Sequence, residues 1–311
     1  MAESGERLLS SGELAKLSQP PRADLVDALA ESPEAAVEAF RRIDRAYRNF
    51  IDGFGAWIAQ TQRFAAERYG ADGLAMIGSA DDAYRSALLH GLTDEDVSGR
   101  HQPDRADRIA GLIEAGDHAT ALAAFDALEA SYRRIHDVER DRVASVLSQV
   151  YRAWGPDVLE ESIRFAGEQT LLGWMPHDVA RPAEVRVRQW AGMQKGNFAD
   201  ITVEETDDAF VITLHPCGTC GRQVSDGCYG ETLDLAVVAE DHPLTFGNGP
   251  APIYRTHVSV MHFVVPMERT GVPWPVIQCP KGMDAEPCRI TLYKDPAATP
   301  PEAYAFAAGS G

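Results

Sequence analysis

The cysteines of this chain, the residues best suited to bind a soft metal or attack a substrate, all lie in its last third. They are Cys217, Cys220, Cys228, Cys279 and Cys288, and three of the nine histidines, at 215, 257 and 262, lie among them. Thiolates and imidazoles bind zinc and similar metals, and thiolates are also strong nucleophiles. We therefore expect the chemistry between His215 and Cys288, with the helical first half as scaffold.

A predicted hairpin contains two of these cysteines. Cys279 and Cys288 flank a polar turn, Pro280 to Pro287, between segments typical of antiparallel strands. Such a turn brings both thiols close enough for half of a tetrahedral zinc site or for a disulfide. Two small buried residues without any ligand are the plain alternative.

This hairpin resembles that of the four-vinyl-reductase-like domain family, which includes the phenol-sensing domains of some bacterial transcription activators. The similar residues are Cys279-Pro-Lys-Gly-Met-Asp-Ala-Glu-Pro-Cys288-Arg289-Ile290, and they match the family's order of strand, Cys, glycine-containing turn, Cys and strand. The resemblance implies a metal ligand on the preceding helix, where His257 stands. The carboxylate that precedes the first hairpin cysteine in the family is missing here. Aminothiazoline carboxylate hydrolases share this architecture, so the resemblance implies no single function.

A second cluster follows a predicted strand and reads His215-Pro-Cys217-Gly-Thr-Cys220-Gly-Arg222. Its two glycines would permit positive φ angles. The Cys-x-x-Cys pair fits half of a zinc site, a redox pair or a turn with incidental thiols. A redox pair usually opens a helix, and no helix is predicted directly after Cys220, so the redox interpretation is the weakest.

Together the clusters predict a zinc site, with iron as the other candidate metal, formed by His257, Cys279, Cys288 and Cys217. If all four bind, the site is closed and structural; if Cys217 stays off the metal, a position is open for water or substrate. His262 lies five residues beyond His257, so the two rings should point to different faces. We expect His262 to be an ordinary core histidine.

The expected catalytic residues are drawn from the same region. Cys217 could attack a substrate, with His215 or His257 as the base. Arg222 could bind a substrate carboxylate with both guanidinium nitrogens, or form a surface salt bridge. Tyr254 could line the pocket.

The chain around this region reads as an α+β protein. Residues 1–30 are expected to be a mobile arm, 31–175 a helical region, 176–300 a small antiparallel α+β domain and 301–311 a loose tail. The segments Tyr69-Gly70-Ala-Asp-Gly-Leu and Trp154-Gly155-Pro-Asp-Val-Leu each follow a long amphipathic helix. A duplicated helical hairpin or two unrelated helix ends would both explain this match.

Composition excludes several classes of partner. The 311 residues carry 29 Lys and Arg against 47 Asp and Glu, a net charge of −18, with no long basic run, so nucleic acid and membrane surfaces are not expected partners. An odd number of cysteines without a secretory signal indicates reduced thiols in the cytoplasm. A homodimer is left open.

Two functions follow from these patterns. The first is a zinc-dependent hydrolase or lyase acting on a C–N or C–S bond of a small polar molecule. The second is a small-molecule-binding sensory protein whose Cys/His zinc site is structural.

Overall fold

We describe the protein from a computed structural model, over residues 7–88, 92, 102–231, 233–247, 249–285 and 287–307, without the side chains of 78–88. The α+β class is confirmed, with a long helical region followed by a small antiparallel sheet. Among these residues, none of the helices is both long and apolar enough to cross a membrane.

Two long helices dominate the first half. The helices are α1 (Ser11–Ser18), α2 (Pro21–Glu31), α3 (Pro33–Leu88), α4 (Pro103–Glu114) and α5 (His118–Thr170). Helix α3 begins at a Ser-Pro pair, a sequence typical of a helix start: the hydroxyl of Ser32 accepts the Ala35 N–H at 3.1 Å, and Pro33 occupies the first turn. The helix does not end at Gly70; it continues across a kink at that residue, where φ is +69°.

The two long helices are kinked at equivalent positions. Gly155 breaks α5 with φ +84° and ψ −179°, much as Gly70 breaks α3 with φ +69° and ψ −156°. Between the breaks Tyr69 stacks on Trp154, with ring centroids 4.1 Å apart. Each glycine therefore breaks its helix at a corresponding place in the packed pair.

The aromatic contacts between α3 and α5 join residues at a constant separation in the sequence. Phe40 packs on Phe125 and Tyr47 on Tyr132, and like Tyr69 and Trp154 these partners are all 85 residues apart in the chain. Hydrogen bonds repeat the pattern reciprocally: Tyr47 donates to Glu129, and Tyr132 donates to Asp44 at 3.0 Å. A short helix followed by a long one thus occurs twice, as α2 with α3 and as α4 with α5. A duplicated helical hairpin would have this arrangement.

The prediction of a mobile arm is wrong for the described residues 7–30. They form α1 and α2, and Pro20-Pro21 only separates the two helices. Leu25 is fully buried, and the Glu205 carboxylate accepts the backbone N–H groups of Leu8 and Leu9 at 2.7 and 3.0 Å. Burial of apolar side chains and satisfied backbone donors hold this segment on the body of the protein.

The second half is built on one antiparallel sheet. After α6 (Met175–Val179) and α7 (Ala183–Gly196) come β1 (Ile201–Glu205), β2 (Ala209–Leu214), α8 (Cys220–Ser225), β3 (Val237–Val238) and β4 (Ala251–Pro252). A composite helix follows, consisting of α9 (Thr256–Val258), a π-helical segment (Ser259–Val264) and α10 (Val265–Thr270), before β5 (Val276–Gln278) and β6 (Cys288–Tyr293). The strand order is β1-β2-β6-β5, and β3 pairs with β4 separately.

The two halves share one hydrophobic core. Phe54 and Trp57 of α3 belong to the same buried cluster as Leu214 and Ile290 of the sheet. A second cluster lies wholly among the helices around Phe40 and Tyr132. The expected loose tail is also corrected as far as residue 307, because Phe306 packs against Phe246 and Phe263 with ring centroids 4.4 and 5.0 Å apart.

Candidate functional site

The sheet register brings four cysteines together from three chain segments. In the β2–β6 pairing Leu214 lies opposite Cys288, and three residues beyond Leu214 the chain reaches Cys217. In the β5–β6 pairing Gln278 lies opposite Arg289, which sets Cys279 beside Cys288 across the turn, as predicted. All five cysteines are free thiols.

The sulphur atoms form a chain in the order Cys220, Cys217, Cys288, Cys279. Hydrogen bonds from the thiols of Cys220 and Cys288 hold the pKa of Cys217 well below its ordinary value. The same contacts, together with burial, raise the pKa of Cys220 and Cys288 well above theirs. Cys217, Cys220 and Cys288 are buried and Cys279 is partly buried. Sequence reasoning left Cys220 out of the metal set, although the Cys-x-x-Cys spacing was the signal for it.

Two glycines let the Cys-x-x-Cys turn approach its neighbours. A Cβ on Gly218 would lie 1.7 Å from the backbone oxygen of Asn197, and one on Gly221 would lie 2.6 Å from that of Ala285. Neither residue is among the glycines with positive φ, so that expectation is wrong. The glycines are needed for close packing of backbone on backbone, and this packing fixes where Cys217 and Cys220 lie.

A short helix does follow the turn, contrary to the sequence prediction. Helix α8 starts at Cys220 and ends at Ser225. The helix that a redox pair usually opens is therefore present at this Cys-x-x-Cys turn. The contacts of Cys217 and Cys220 with the hairpin cysteines nevertheless distinguish this cluster from an isolated Cys-x-x-Cys pair.

A buried arginine joins the hairpin turn to the thiols. The Arg255 side chain donates to the backbone oxygens of Pro280 and Gly282 at 2.7 Å and of Asp284 at 2.9 Å. Burial alone would lower its pKa, but the neighbouring Cys220 and the hairpin cysteines raise it above the ordinary value. Its Nε is buried without a hydrogen-bond partner, and the groups that raise its pKa are cysteines.

The four thiols line a cavity of about 400 Å³ between α3, α7, the composite helix and the sheet. Its wall is largely aromatic and aliphatic, and its polar side chains are amides, hydroxyls, thiols and two imidazoles. As far as the structure describes the chain, no Lys, Arg, Asp or Glu is part of this wall. The main apolar lining residues are Phe50, Phe54, Trp57, Trp190, Met261 and Ile277.

His257 and His262 both face this cavity, which corrects the expectation that they point apart. Their ring centroids lie 6.0 Å apart. Five residues of regular α-helix would separate the two side chains by about 140°. The π-helical segment, closed by the bond from Val265 N–H to the Val260 oxygen, has a wider turn and returns His262 to the side of His257.

Both imidazoles are fixed in the same tautomer. Nδ1–H of His257 donates to the Tyr254 oxygen at 2.5 Å, and Nδ1–H of His262 donates to the Trp274 oxygen at 2.6 Å. Because a carbonyl only accepts, the neutral form of each ring has its proton on Nδ1 and its lone pair on Nε2. Burial lowers the pKa of His257, and burial with the adjacent His257 lowers that of His262 to about 3. Both rings are therefore neutral acceptors at pH 7.

Tyr254 lies where the sequence places it, at the cavity wall. It is 3% exposed and packs against Trp57 and His257, with ring centroids 5.8 and 4.9 Å away. Burial, followed by the nearby Cys220 and Cys217, raises its pKa well above the ordinary value. The phenol is therefore protonated and can only donate or accept a hydrogen bond as a neutral group.

Two predicted site residues lie away from the cavity. His215 is exposed at the end of β2, so it cannot serve as a base for Cys217 inside the cavity. Arg222 is buried: it donates to the Phe198 oxygen at 2.8 Å and to the Asp137 carboxylate. Because that bond and its own burial fix the guanidinium, it neither binds a substrate carboxylate in this cavity nor forms a surface salt bridge.

Cys228 is separate from the other thiols. Its sulphur lies 3.7 Å from the Asp141 carboxylate, and burial followed by the charge of Asp141 raises its pKa to about 12. A thiol with so high a pKa is a poor nucleophile and a poor metal ligand at neutral pH. It therefore serves as a natural control for the other four.

The thiols do not surround a single point in this structure. In the described ranges no three His, Cys, Asp or Glu side chains are arranged so that one metal ion could contact all of them. The donor types nevertheless suit a soft metal, and the unpartnered Nε of Arg255 offers a buried cation beside the sulphurs. Metal binding at the predicted set of His257, Cys279, Cys288 and Cys217 stays a prediction.

Comparisons of the chain with family models, with curated proteins and with solved structures found no match.

Proposed function

We propose that the protein binds a small molecule with an apolar body in the 400 Å³ cavity, beside a zinc or iron ion held by Cys217, Cys220, Cys279 and Cys288. The observation that carries the proposal is that four thiols from three chain segments meet in the wall of one cavity. A four-thiolate zinc site is closed and structural, so the ion would hold the wall in place. Small-molecule sensing is the role this arrangement fits best.

The chemistry of the surroundings supports a thiolate metal centre. Four thiolates and one divalent ion carry a net negative charge, and burying such a charge requires a positive neighbour. Arg255 is that neighbour, and its hydrogen bonds to the turn between Cys279 and Cys288 would orient the hairpin ligands. The proposal needs reduced thiols, and therefore a reducing compartment such as the cytoplasm.

Ligand binding can be tested by obstructing the cavity. Gly53 lies in the wall, and a Cβ added there has no atom within 4 Å. Gly53 is itself exposed at the rim of the cavity, so Gly53→Met should extend across the cavity mouth without disturbing the fold. The matched control is Gly192→Met, because Gly192 is exposed on α7 and is also free of close contacts.

The measurement is the fluorescence of N-phenyl-1-naphthylamine, an uncharged apolar probe, titrated with each protein. Wild type and Gly192→Met should bind it alike, and Gly53→Met should bind at least about tenfold more weakly, since 1.4 kcal/mol of lost contact is a factor of ten. Equal binding by all three proteins, or no binding by wild type, would overturn the proposal.

A zinc- or cysteine-dependent hydrolase or lyase acting on a C–N or C–S bond is a second candidate. It is favoured by the low pKa of Cys217 and by the neutral His257 on the same cavity. In a hydrolysis of an amide, His257 would take the thiol proton while sulphur bonds to the carbonyl carbon. The C–N bond then breaks, the proton passes to the leaving nitrogen, and water cleaves the thioester.

Iodoacetamide distinguishes these candidates. A nucleophilic Cys217 should be alkylated first in the protein as purified, and Cys217→Ala should keep the fold but lose turnover. If Cys217 is instead a structural ligand, it should resist alkylation until a chelator is added, and its removal should lower the melting temperature.

A further inference from the structure

The cavity discriminates among ligands by charge. Apart from the thiols, its described polar side chains are amides, hydroxyls and two imidazoles, and each imidazole donates its Nδ1–H to a backbone oxygen. An anion would find no Lys or Arg in the described wall, and a cation would find no carboxylate, because the thiolates of the proposed centre are taken up by the metal ion and Arg255. Burying an unpaired charge among aromatic side chains is strongly unfavourable. A ligand of this site is therefore uncharged.

The two histidines add a directional requirement. Each has its Nδ1–H committed to a backbone oxygen, so each offers only the Nε2 acceptor to the cavity. No hydrogen-bond partner meets either Nε2 within the described part of the chain. Neither Nε2 is among the described side-chain atoms that are buried without a partner, so both are open to the cavity, and a ligand that supplies donors can bind them.

Their spacing matches one amino group. Two hydrogen bonds of about 2.9 Å donated by a single NH₂ reach acceptors about 5 Å apart. The ring centroids of His257 and His262 are 6.0 Å apart, and a separation of about 5 Å between the two Nε2 atoms is compatible with that distance. A hydroxyl has one hydrogen and could satisfy only one ring at a time.

We infer that His257 and His262 together bind the NH₂ group of an uncharged ligand, such as a primary carboxamide or an aromatic amine, whose apolar body lies against Phe54, Trp57 and Trp190. This inference rests on the proposed ligand-binding function and adds the class of ligand. Neither histidine is a metal ligand in this assignment; each positions the ligand through one acceptor atom.

The test is displacement of N-phenyl-1-naphthylamine by three molecules of similar size. Benzamide carries an NH₂, N,N-dimethylbenzamide has no N–H, and benzoate is an anion. Benzamide should displace the probe at a concentration at least about tenfold lower than the dimethyl amide, for the loss of one to two hydrogen bonds. Benzoate should not displace it.

Variants assign that preference to the two rings. In His262→Asn the side-chain NH₂ can still donate to the Trp274 oxygen, while the Nε2 acceptor is lost; His262→Gln keeps an acceptor near the Nε2 position. The same pair of changes applies at His257. Each Asn variant should reduce the preference for benzamide over the dimethyl amide about tenfold, and each Gln variant should keep most of it.

The outcomes separate the two proposals. Probe binding that Gly53→Met abolishes, but without any preference for benzamide, would overturn the histidine assignment and leave the ligand-binding function standing. The same holds if the preference survives both Asn substitutions. Absence of probe binding to wild type would instead remove the proposed function itself.

Discussion

His257 and His262 face one cavity with ring centroids 6.0 Å apart, although five residues of ordinary helix would turn them away from each other. The π-helical segment between Ser259 and Val264 makes the difference, and such segments are frequent at functional sites. Arg255, the residue directly before this composite helix, contacts the hairpin turn of Cys279 and Cys288. One helix thus connects the imidazole pair with the thiol cluster.

The first prediction concerns which residues bind metal. Purified protein should contain about one zinc or iron ion per chain, and Cys220→Ser should lose it because Cys220 completes the four-thiol set. His257→Asn should retain the metal, whereas the set expected from sequence alone requires its loss. Cys228→Ser is the control, since that thiol pairs with Asp141. Inductively coupled plasma mass spectrometry of the four proteins decides the matter, and wild type without metal would contradict the site.

The second prediction concerns the glycine turn. Gly218→Ala should destabilise the protein by about 3 kcal/mol, because its Cβ would collide with the Asn197 oxygen and backbone must move. Gly192→Ala, in the exposed interior of α7, should stabilise it by about 0.5–1 kcal/mol. Urea unfolding measures both. Equal stability of the two variants would mean that the turn can shift at no cost, and that it does not fix Cys217.

Much of the fold was predictable because its signals are local. The strands at 276–278 and 288–293 follow from alternation and turn residues, and the start of α3 follows from Ser32-Pro33. The same locality explains the failures. Residues 7–30 are held in part by the contact of Leu25 with the helical core. That contact joins segments that are distant in the chain, so local sequence does not predict it.

The site was predictable in composition but not in arrangement. The cysteines were found as a group, and Tyr254 was placed correctly at the cavity. A helical wheel could not reveal the π-helical turn that unites His257 with His262, because the pattern assumes a regular period. Arg222 sits beside the functional thiols in sequence, yet its side chain turns to Asp137 on α5. No spacing rule contains that information.

The third prediction follows from that ion pair. Asp137→Ala should cost about 3 kcal/mol, because the guanidinium of Arg222 remains buried without its partner. The control is Asp126→Ala, which removes an ion pair with Arg22 in which both side chains are nearly half exposed, and it should cost less than about 1 kcal/mol. Urea unfolding gives both values. Binding of N-phenyl-1-naphthylamine should be unchanged in either variant. A loss of probe binding in Asp137→Ala alone would show that Arg222 contributes to ligand binding.

The last prediction is a pH dependence with a definite sign. The pKa of His262 is about 3 in the folded protein against an ordinary value of 6.5, so between these values the unfolded chain binds a proton that the folded chain does not. The stabilising effect of keeping this ring neutral is full above pH 6.5 and is lost as pH falls toward 3. From pH 7.5 to 5.5 His262 alone should reduce the free energy of unfolding by about 1.4 kcal/mol.

The comparison of wild type with His262→Asn isolates this effect. Asparagine does not titrate, so the variant should lose about 1.4 kcal/mol less than wild type over the same two pH units. His257 also titrates with a lowered pKa and the thiols change their metal affinity with pH, but both contributions are common to the two proteins. Urea unfolding at pH 7.5 and 5.5 supplies the four values. Parallel losses in both proteins would show that the pKa of His262 is not lowered by folding, and would contradict the burial of this ring.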